Sequence, residues 1–279
     1  LQLGLDLADG GNKELAVHTL KQAVEHARKI DLPGPGRRWA MLHKISTEVA
    51  SMGDLRQALE IVYLINEPIE QIQTLNDVSR RVRNSQEKDL VLYSVKTAVD
   101  VFNYGGSNRV SYLGPTTTGK SRHTQSIILH NIATAVVTVE AVKEAEEIAL
   151  TSKHEHVQDA FMGALTSALL QVDKIPQAIE MATKMNQSAR KDSICEEVAA
   201  WLIVKKEYRQ ALEISGHVQS DDSSQIIFEA IISHLLENKR IEAAVEMVET
   251  IGGKKRQAMF LAEIIEELNT QGKIQQALE

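Results

Sequence analysis

One spacing limits the fold of this chain more than any other feature. An alanine followed by an aliphatic residue, an acid and a second aliphatic residue recurs as Ala178-Ile179-Glu180-Met181, Ala211-Leu212-Glu213-Ile214 and Ala244-Val245-Glu246-Met247. It opens again at Ala277-Leu278-Glu279. Successive alanines stand 33 residues apart, and a looser copy, Ala145-Glu146-Glu147-Ile148, lies another 33 upstream. Equal steps of this size mark stacked supersecondary units rather than one closed core. Further upstream the spacing loosens. Ala98-Val99-Asp100-Val101 precedes Ala145 by 47 residues, and Ala58-Leu59-Glu60-Ile61 precedes Ala98 by 40. Ala16-Val17, 42 before Ala58, reads as the first copy. It is preferred to Ala23-Val24-Glu25 because Ala8, Gly11 and Ala16 repeat the spacing of Ala50, Gly53 and Ala58.

Two further signals frame each alanine. Five residues before it stands a small or polar turn residue, and three before it an aliphatic or aromatic one. Gly53-Asp54-Leu55, Asp173-Lys174-Ile175, Lys206-Glu207-Tyr208, Lys239-Arg240-Ile241 and Gly272-Lys273-Ile274 are the instances. Before the turn, apolar residues fall at i, i+4, i+7 and i+8 in Phe161, Leu165, Ala168 and Leu169. Ile194, Val198, Trp201 and Leu202 continue this helical period, as do Phe228, Ile231, Ile232 and Leu235, then Phe260, Ile264, Ile265 and Leu268. Each unit is therefore helix, short turn, helix, short turn, with essentially no strand signal. A lone helix pair cannot bury its apolar stripe, whereas stacked pairs can.

Gly53-x-Leu55-x-x-Ala58-Leu59 and Gly272-x-Ile274-x-x-Ala277-Leu278 resemble the turn between helices in the tetratricopeptide repeat (TPR) family, and Lys206-x-Tyr208-x-x-Ala211-Leu212 matches it without the glycine. The unit here is one residue shorter than the family's ~34. The family's proline at the end of the second helix is missing from the regular repeats. The resemblance implies an all-α, right-handed superhelical solenoid of stacked antiparallel helix pairs with one concave face. Eight anchors give about seven full TPR-like repeats and a truncated eighth. The expected organisation is a single α-solenoid domain over residues 1–279. It has irregular repeats over 1–102, an inserted Gly/Ser/Thr loop over 103–124 and regular 33-residue repeats over 125–279. The chain opens at Leu1 and stops inside a repeat, so it reads as a fragment of a longer protein.

Charge narrows the partners. The formal net charge is -7. Residues 1–139 hold 16 Lys+Arg and 14 Asp+Glu, whereas 140–279 hold 15 and 24. A general nucleic-acid binder usually presents a basic face, so nucleic acid is not the expected partner. Cys195 is the one cysteine, so no internal disulfide exists. No apolar run reaches the ~18 residues of a membrane span, and no basic-then-apolar signal segment opens the chain. The expected location is the cytoplasm.

The sharpest local motif is Gly114-Pro115-Thr116-Thr117-Thr118-Gly119-Lys120-Ser121, which fits the Walker A pattern. In a nucleotide site, Gly119 would help wrap the phosphates, Lys120 would neutralise charge and Ser121 would bind magnesium. That loop needs a buried strand before it and a parallel sheet around it. Val110-Ser111-Tyr112-Leu113 is a poor strand with nothing to pair with. The expectation is a flexible, partner-binding loop, with nucleotide binding as a subordinate alternative. His154-Glu155-His156 with His123 or His130 lacks converging ligands and reads as solvated histidines, so no metal and no cofactor are expected. Cys195 reads as a packing residue rather than a nucleophile.

The resemblance also implies that first helices line the concave face. Carried over by register, the groove takes His43, Lys44, Thr47 and Ser51, then Arg80 and Arg83, then His130, Asn131, Thr134 and Thr138. It continues through Ser167 and Gln171, Glu196, then Glu229, Ser233 and Glu237, and ends on Glu263, Glu266 and Asn269. Such a surface would run from mildly basic to acidic. The expected function is a non-enzymatic interaction scaffold that holds a peptide or protein segment carrying a basic stretch. Self-association through uncapped terminal repeats is the alternative.

Overall fold

The structure is a computed structural model that describes residues 2–29, 35–106, 115–186 and 189–270. Among the described residues every regular element is helical and there is no strand. Contacts divide the chain into two compact units, Leu1–Val172 and Asp173–Glu279, where the sequence suggests one continuous domain.

The first unit holds α1 (Gln2–Asp9), α2 (Lys13–Lys29), α3 (Pro35–Ser51), α4 (Leu55–Val62), α5 (Pro68–Val82), α6 (Lys88–Gly106), α7 (Pro115–Thr138), α8 (Val142–Leu150) and α9 (Glu155–Gln171). First helices α3, α5, α7 and α9 pack side by side in one layer, and second helices α4, α6 and α8 pack in another. The second unit holds α10 (Ile175–Lys184), α11 (Ala189–Val204), α12 (Tyr208–Ser215), α13 (Asp221–Glu237), α14 (Ile241–Thr250) and α15 (Lys254–Thr270). Here α11 packs on α13 and α13 on α15, while α12 and α14 bridge them. Each unit is thus an α-solenoid of stacked helix pairs.

The residue five before six of the alanines is where the chain reverses. Gly11, Gly53, Glu140, Asp173, Lys206 and Lys239 have φ of 81°, 98°, 55°, 60°, 65° and 58°. Around four of them, Gly53, Glu140, Lys206 and Lys239, the same pair of bonds recurs. The left-handed N–H donates to the carbonyl three residues back, and the next N–H to the carbonyl five before itself, all between 2.8 and 3.3 Å. This is the Schellman closure, which satisfies carbonyls left open at a helix end. It also shows why Gly recurs at this position, since only Gly enters the left-handed region without a Cβ penalty.

Next comes the second helix. The N–H groups of Ala16, Ala58, Ala145, Ala178, Ala211 and Ala244 donate to the carbonyls four residues back at 3.0–3.1 Å, closing its first turn. All six alanines are 0% exposed. Ser46 on α3 donates to the Ala58 carbonyl at 2.9 Å, an approach that a large side chain at this contact would obstruct. Ala16 is therefore the first anchor, because Gly11 before it takes the left-handed turn. Ala98 is buried but sits inside α6 with no turn before it, so the repeat is irregular there. Pro68 opens α5 at its first position, where its missing N–H costs nothing.

The stretch expected as a loop over 103–124 is largely helical. α6 runs to Gly106, and α7 already begins at Pro115. Only 107–114 falls outside the described residues. Thr and Gly are weak helix formers, which is why composition suggests a loop. Pro115 at the first helical position and the apolar run beyond Gln125 carry the helix through. The last anchor, Ala277, and its turn at Gly272 also lie outside the described residues.

A second repeated feature, not legible as a motif, stands thirteen residues after the alanine. Gln71 donates to the Val62 carbonyl at 3.1 Å, Gln158 to Ser152 at 2.9 Å, Lys191 to Thr183 at 3.0 Å and Met185 at 3.1 Å, and Gln257 to Ile251 at 3.0 Å. Ser224 reaches Ser215 at 3.4 Å. Each donor satisfies a carbonyl at or just beyond the end of the preceding second helix, and so joins it to the next first helix.

Candidate functional site

In the first unit, the expected groove residues divide into side chains that face water and side chains that join helices. His43 on α3 shares a 2.9 Å hydrogen bond with Thr74 Oγ1 on α5, and its other ring nitrogen lies 3.6 Å from Asp77. Asp77 in turn lies 3.9 Å from Arg80. His43, Asp77 and Arg80 therefore form one polar chain across the α3–α5 contact. Lys44 and Arg83 are exposed. Thr47 and Ser51 donate to carbonyls of their own helix, Lys44 at 2.9 Å and Glu48 at 2.7 Å.

On α7, Asn131 is not a groove residue. It is 5% exposed and donates to Ser79 Oγ on α5 at 3.1 Å, so it ties two first helices together inside the layer. Thr134 and Thr138 donate to the carbonyls of His130 and Thr134 at 2.8 Å. His130 and Ser167 are half-buried, and Gln171 is exposed. A separate cleft of about 490 Å³ opens between α2 and α4, with Val24, Ile61 and Leu64 among its lining residues. Lys21 stands 3.9 Å from Asp54 at this cleft, and Asp54 caps α4 by accepting from the Gln57 N–H.

In the second unit, three of the expected residues, Glu229, Glu263 and Glu266, come together. Glu196 on α11 is half-buried. Glu229 on α13 is half-buried and accepts a 2.7 Å hydrogen bond from Gln225. Ser233 and Glu237 on α13 and Glu263, Glu266 and Asn269 on α15 are exposed. Partial burial pushes the Glu263 carboxyl above its ordinary value, and the charges of Glu229 and Glu266 push it further the same way. Glu263 thus lies within electrostatic reach of Glu229 on the neighbouring helix and of Glu266 on its own. Among the described residues, no Lys or Arg pairs with any of the three.

Two residues on this face carry no charge signal and escape a reading by polarity. Ile226 on α13 is 50% exposed, and Met259 on α15 is 36% exposed. They are 33 residues apart, so they hold the same position in successive repeats. Glu229 and Ser233 follow Ile226 at +3 and +7, and Glu263 and Glu266 follow Met259 at +4 and +7, which places each set on one helix face.

The remaining candidates behave differently. Gly119, Lys120 and Ser121 lie within α7. Their backbone is helical there, so these three residues do not themselves form a phosphate-wrapping loop, and no strand precedes them among the described residues. Gly114 lies outside the described residues. Among the described residues, no group of three or more His, Cys, Asp or Glu is placed to hold a metal. The His154 and His156 rings stand 5.4 Å apart at the start of α9. Cys195 is 0% exposed, and burial pushes its thiol up to about 11. Among the described residues, no helix is long and apolar enough to cross a membrane.

No family model matches the sequence, and no curated protein matches it. Among solved structures, the chain is similar to Ton1535 from Thermococcus onnurineus NA1, at 16% identity over 92% of this chain and 76% of that one, with a TM-score of 0.29. It is also similar to a circular tandem repeat protein with a novel repeat topology, at 14% identity over 99% of this chain and 60% of that one, with a TM-score of 0.23. Likenesses this low carry no inference about function.

Proposed function

We propose that this chain is a non-enzymatic interaction scaffold of TPR-like repeats that binds a peptide or protein segment on its first-helix faces. The observation that carries the reading is the layer of first helices in each unit, which packs on one side and leaves polar and charged side chains at repeating positions on the other. Stacked repeats supply a rigid extended surface, and recognition on such a surface needs no reacting group. Two features support a role without catalysis. The buried Cys195 thiol is held in its neutral form, and Gly119, Lys120 and Ser121 belong to a helix. The test is charge reversal at Glu196, Glu229 and Glu266, followed by affinity capture beside the wild-type chain. A partner held by wild type and lost by the variant is the expected result. Equal recovery by both rejects the acidic face as the binding surface.

Self-association is a second reading, and one observation favours it. Leu261 and Ile265 on α15 are 37% and 43% exposed, whereas their equivalents one repeat earlier, Phe228 and Ile232, are 8% and 1% exposed. An apolar repeat face of this kind is one on which another helix can stack. A mass in solution that rises with concentration, and that Leu261→Ser with Ile265→Ser abolishes, is the result this reading requires.

A further inference from the structure

We propose that the first-helix face of the second unit selects a segment that is both aliphatic and basic, seating aliphatic side chains on Ile226 and Met259 and Lys or Arg beside Glu229, Glu263 and Glu266. The inference deepens the scaffold reading and rests on it.

The apolar half comes from exposure and register. A solvated helix face is polar, and single apolar residues scattered on it have no meaning. Ile226 and Met259 are not scattered. They occupy one repeat position on α13 and α15, which pack against each other. Packed helix axes lie ~8–10 Å apart, and a polyproline II segment advances ~3.1 Å per residue with about three residues per turn. Aliphatic residues three apart in such a segment share one face ~9 Å apart, and would therefore meet Ile226 and then Met259. The positions between them would fall among the carboxylates.

The charged half comes from what the acids lack. Glu263 is repelled by Glu229 on the neighbouring α13 and by Glu266 on its own helix, and the three have no cation partner among the described residues. A Lys or Arg brought by a ligand would relieve that repulsion, whereas an Asp or Glu would add to it. Opposite charge therefore selects the ligand, and like charge rejects alternatives. An acidic cluster alone would admit any cation. The two large apolar side chains at one repeat position of α13 and α15 are what restrict the ligand to a segment with aliphatic residues.

The test is selection of an unbiased random-peptide display library on the immobilised full chain. Affinities of the selected peptides are then measured for wild type, for Ile226→Ser with Met259→Ser, and for Glu263→Gln with Glu266→Gln. All four positions are exposed, and circular dichroism is the check that both variants fold. The expected peptides combine Leu, Ile or Val with Lys or Arg at about three-residue spacing. They should bind each variant at least tenfold more weakly, and the glutamine variant should lose most of its salt dependence. Selected peptides that lack this composition, or that bind both variants as tightly as wild type, overturn the inference and leave the scaffold reading standing. A library that yields no binder overturns the scaffold reading, and this inference with it.

Discussion

The ammonium of Lys191 donates to the Met185 carbonyl at 3.1 Å while the residue is only 3% exposed. It donates to Thr183 as well, and it stands where Gln158 and Gln257 stand in their own repeats. The repeat therefore asks for a side-chain donor at this position, not for a charge. Lys191→Met should strand the carbonyls and destabilise the chain by ~1–3 kcal/mol in urea denaturation. Lys191→Gln should recover most of that loss. Equal damage from both substitutions would mean that the charge itself matters.

The anchoring alanines define a second set of variants. Ala211 is 0% exposed in the first turn of α12. Ala211→Leu should overpack that contact and cost ~1–3 kcal/mol. Ala262, exposed on α15, is the control, and Ala262→Leu should change stability by less than ~0.5 kcal/mol.

Left-handed turns held by residues other than glycine are open to improvement. Lys206 and Lys239 sit at φ 65° and 58°. A left-handed L-residue costs ~1–2 kcal/mol, part of which glycine returns as unfolded-state entropy. Lys206→Gly and Lys239→Gly should each stabilise by ~0.5–1 kcal/mol, read as a higher denaturation midpoint. The converse holds at Gly53, where a Cβ would meet nothing within 4 Å. Gly53→Ala should therefore lose stability through its φ of 98° alone.

Cys195 should be silent to thiol reagents. Burial raises its thiol to about 11, so at pH 8 the folded chain holds little thiolate and gives it no access. Labelling by a disulfide reagent should follow unfolding in urea, and should not occur on the native chain. Rapid native labelling would contradict the buried placement.

A pH dependence follows from the acidic face. Because Glu263 is raised in the folded chain, the folded state holds its proton more tightly than the unfolded one does. Its contribution to stability is therefore present below the ordinary carboxylate range and is lost as pH rises through the folded value. Glu263→Gln should stabilise the chain at pH 7 by a few tenths of a kcal/mol, a small effect because solvent screens so exposed a group. Below about pH 4 the gain should vanish.

The sequence by itself determined the repeat. Alanine at 33-residue steps, a turn residue five before it and the helical period of Phe161, Leu165 and Leu169 state a stacked helix pair. All three are local demands: a close helix contact, a reversed φ and a one-sided stripe. The tertiary structure alone decided which side chains reach water. Asn131 and Lys44 look equally polar, yet Asn131 is sealed against Ser79 of the neighbouring helix, and Lys44 is exposed. Ile226 and Met259 look like core residues, yet they stand on the surface. The donors thirteen residues after five of the alanines differ in type, so no motif shows them, although a shared target unites them. Gly119, Lys120 and Ser121 match a phosphate loop as letters and form part of α7 as structure. Burial and partnership depend on which helix packs alongside, and periodicity within one helix carries no record of its neighbour.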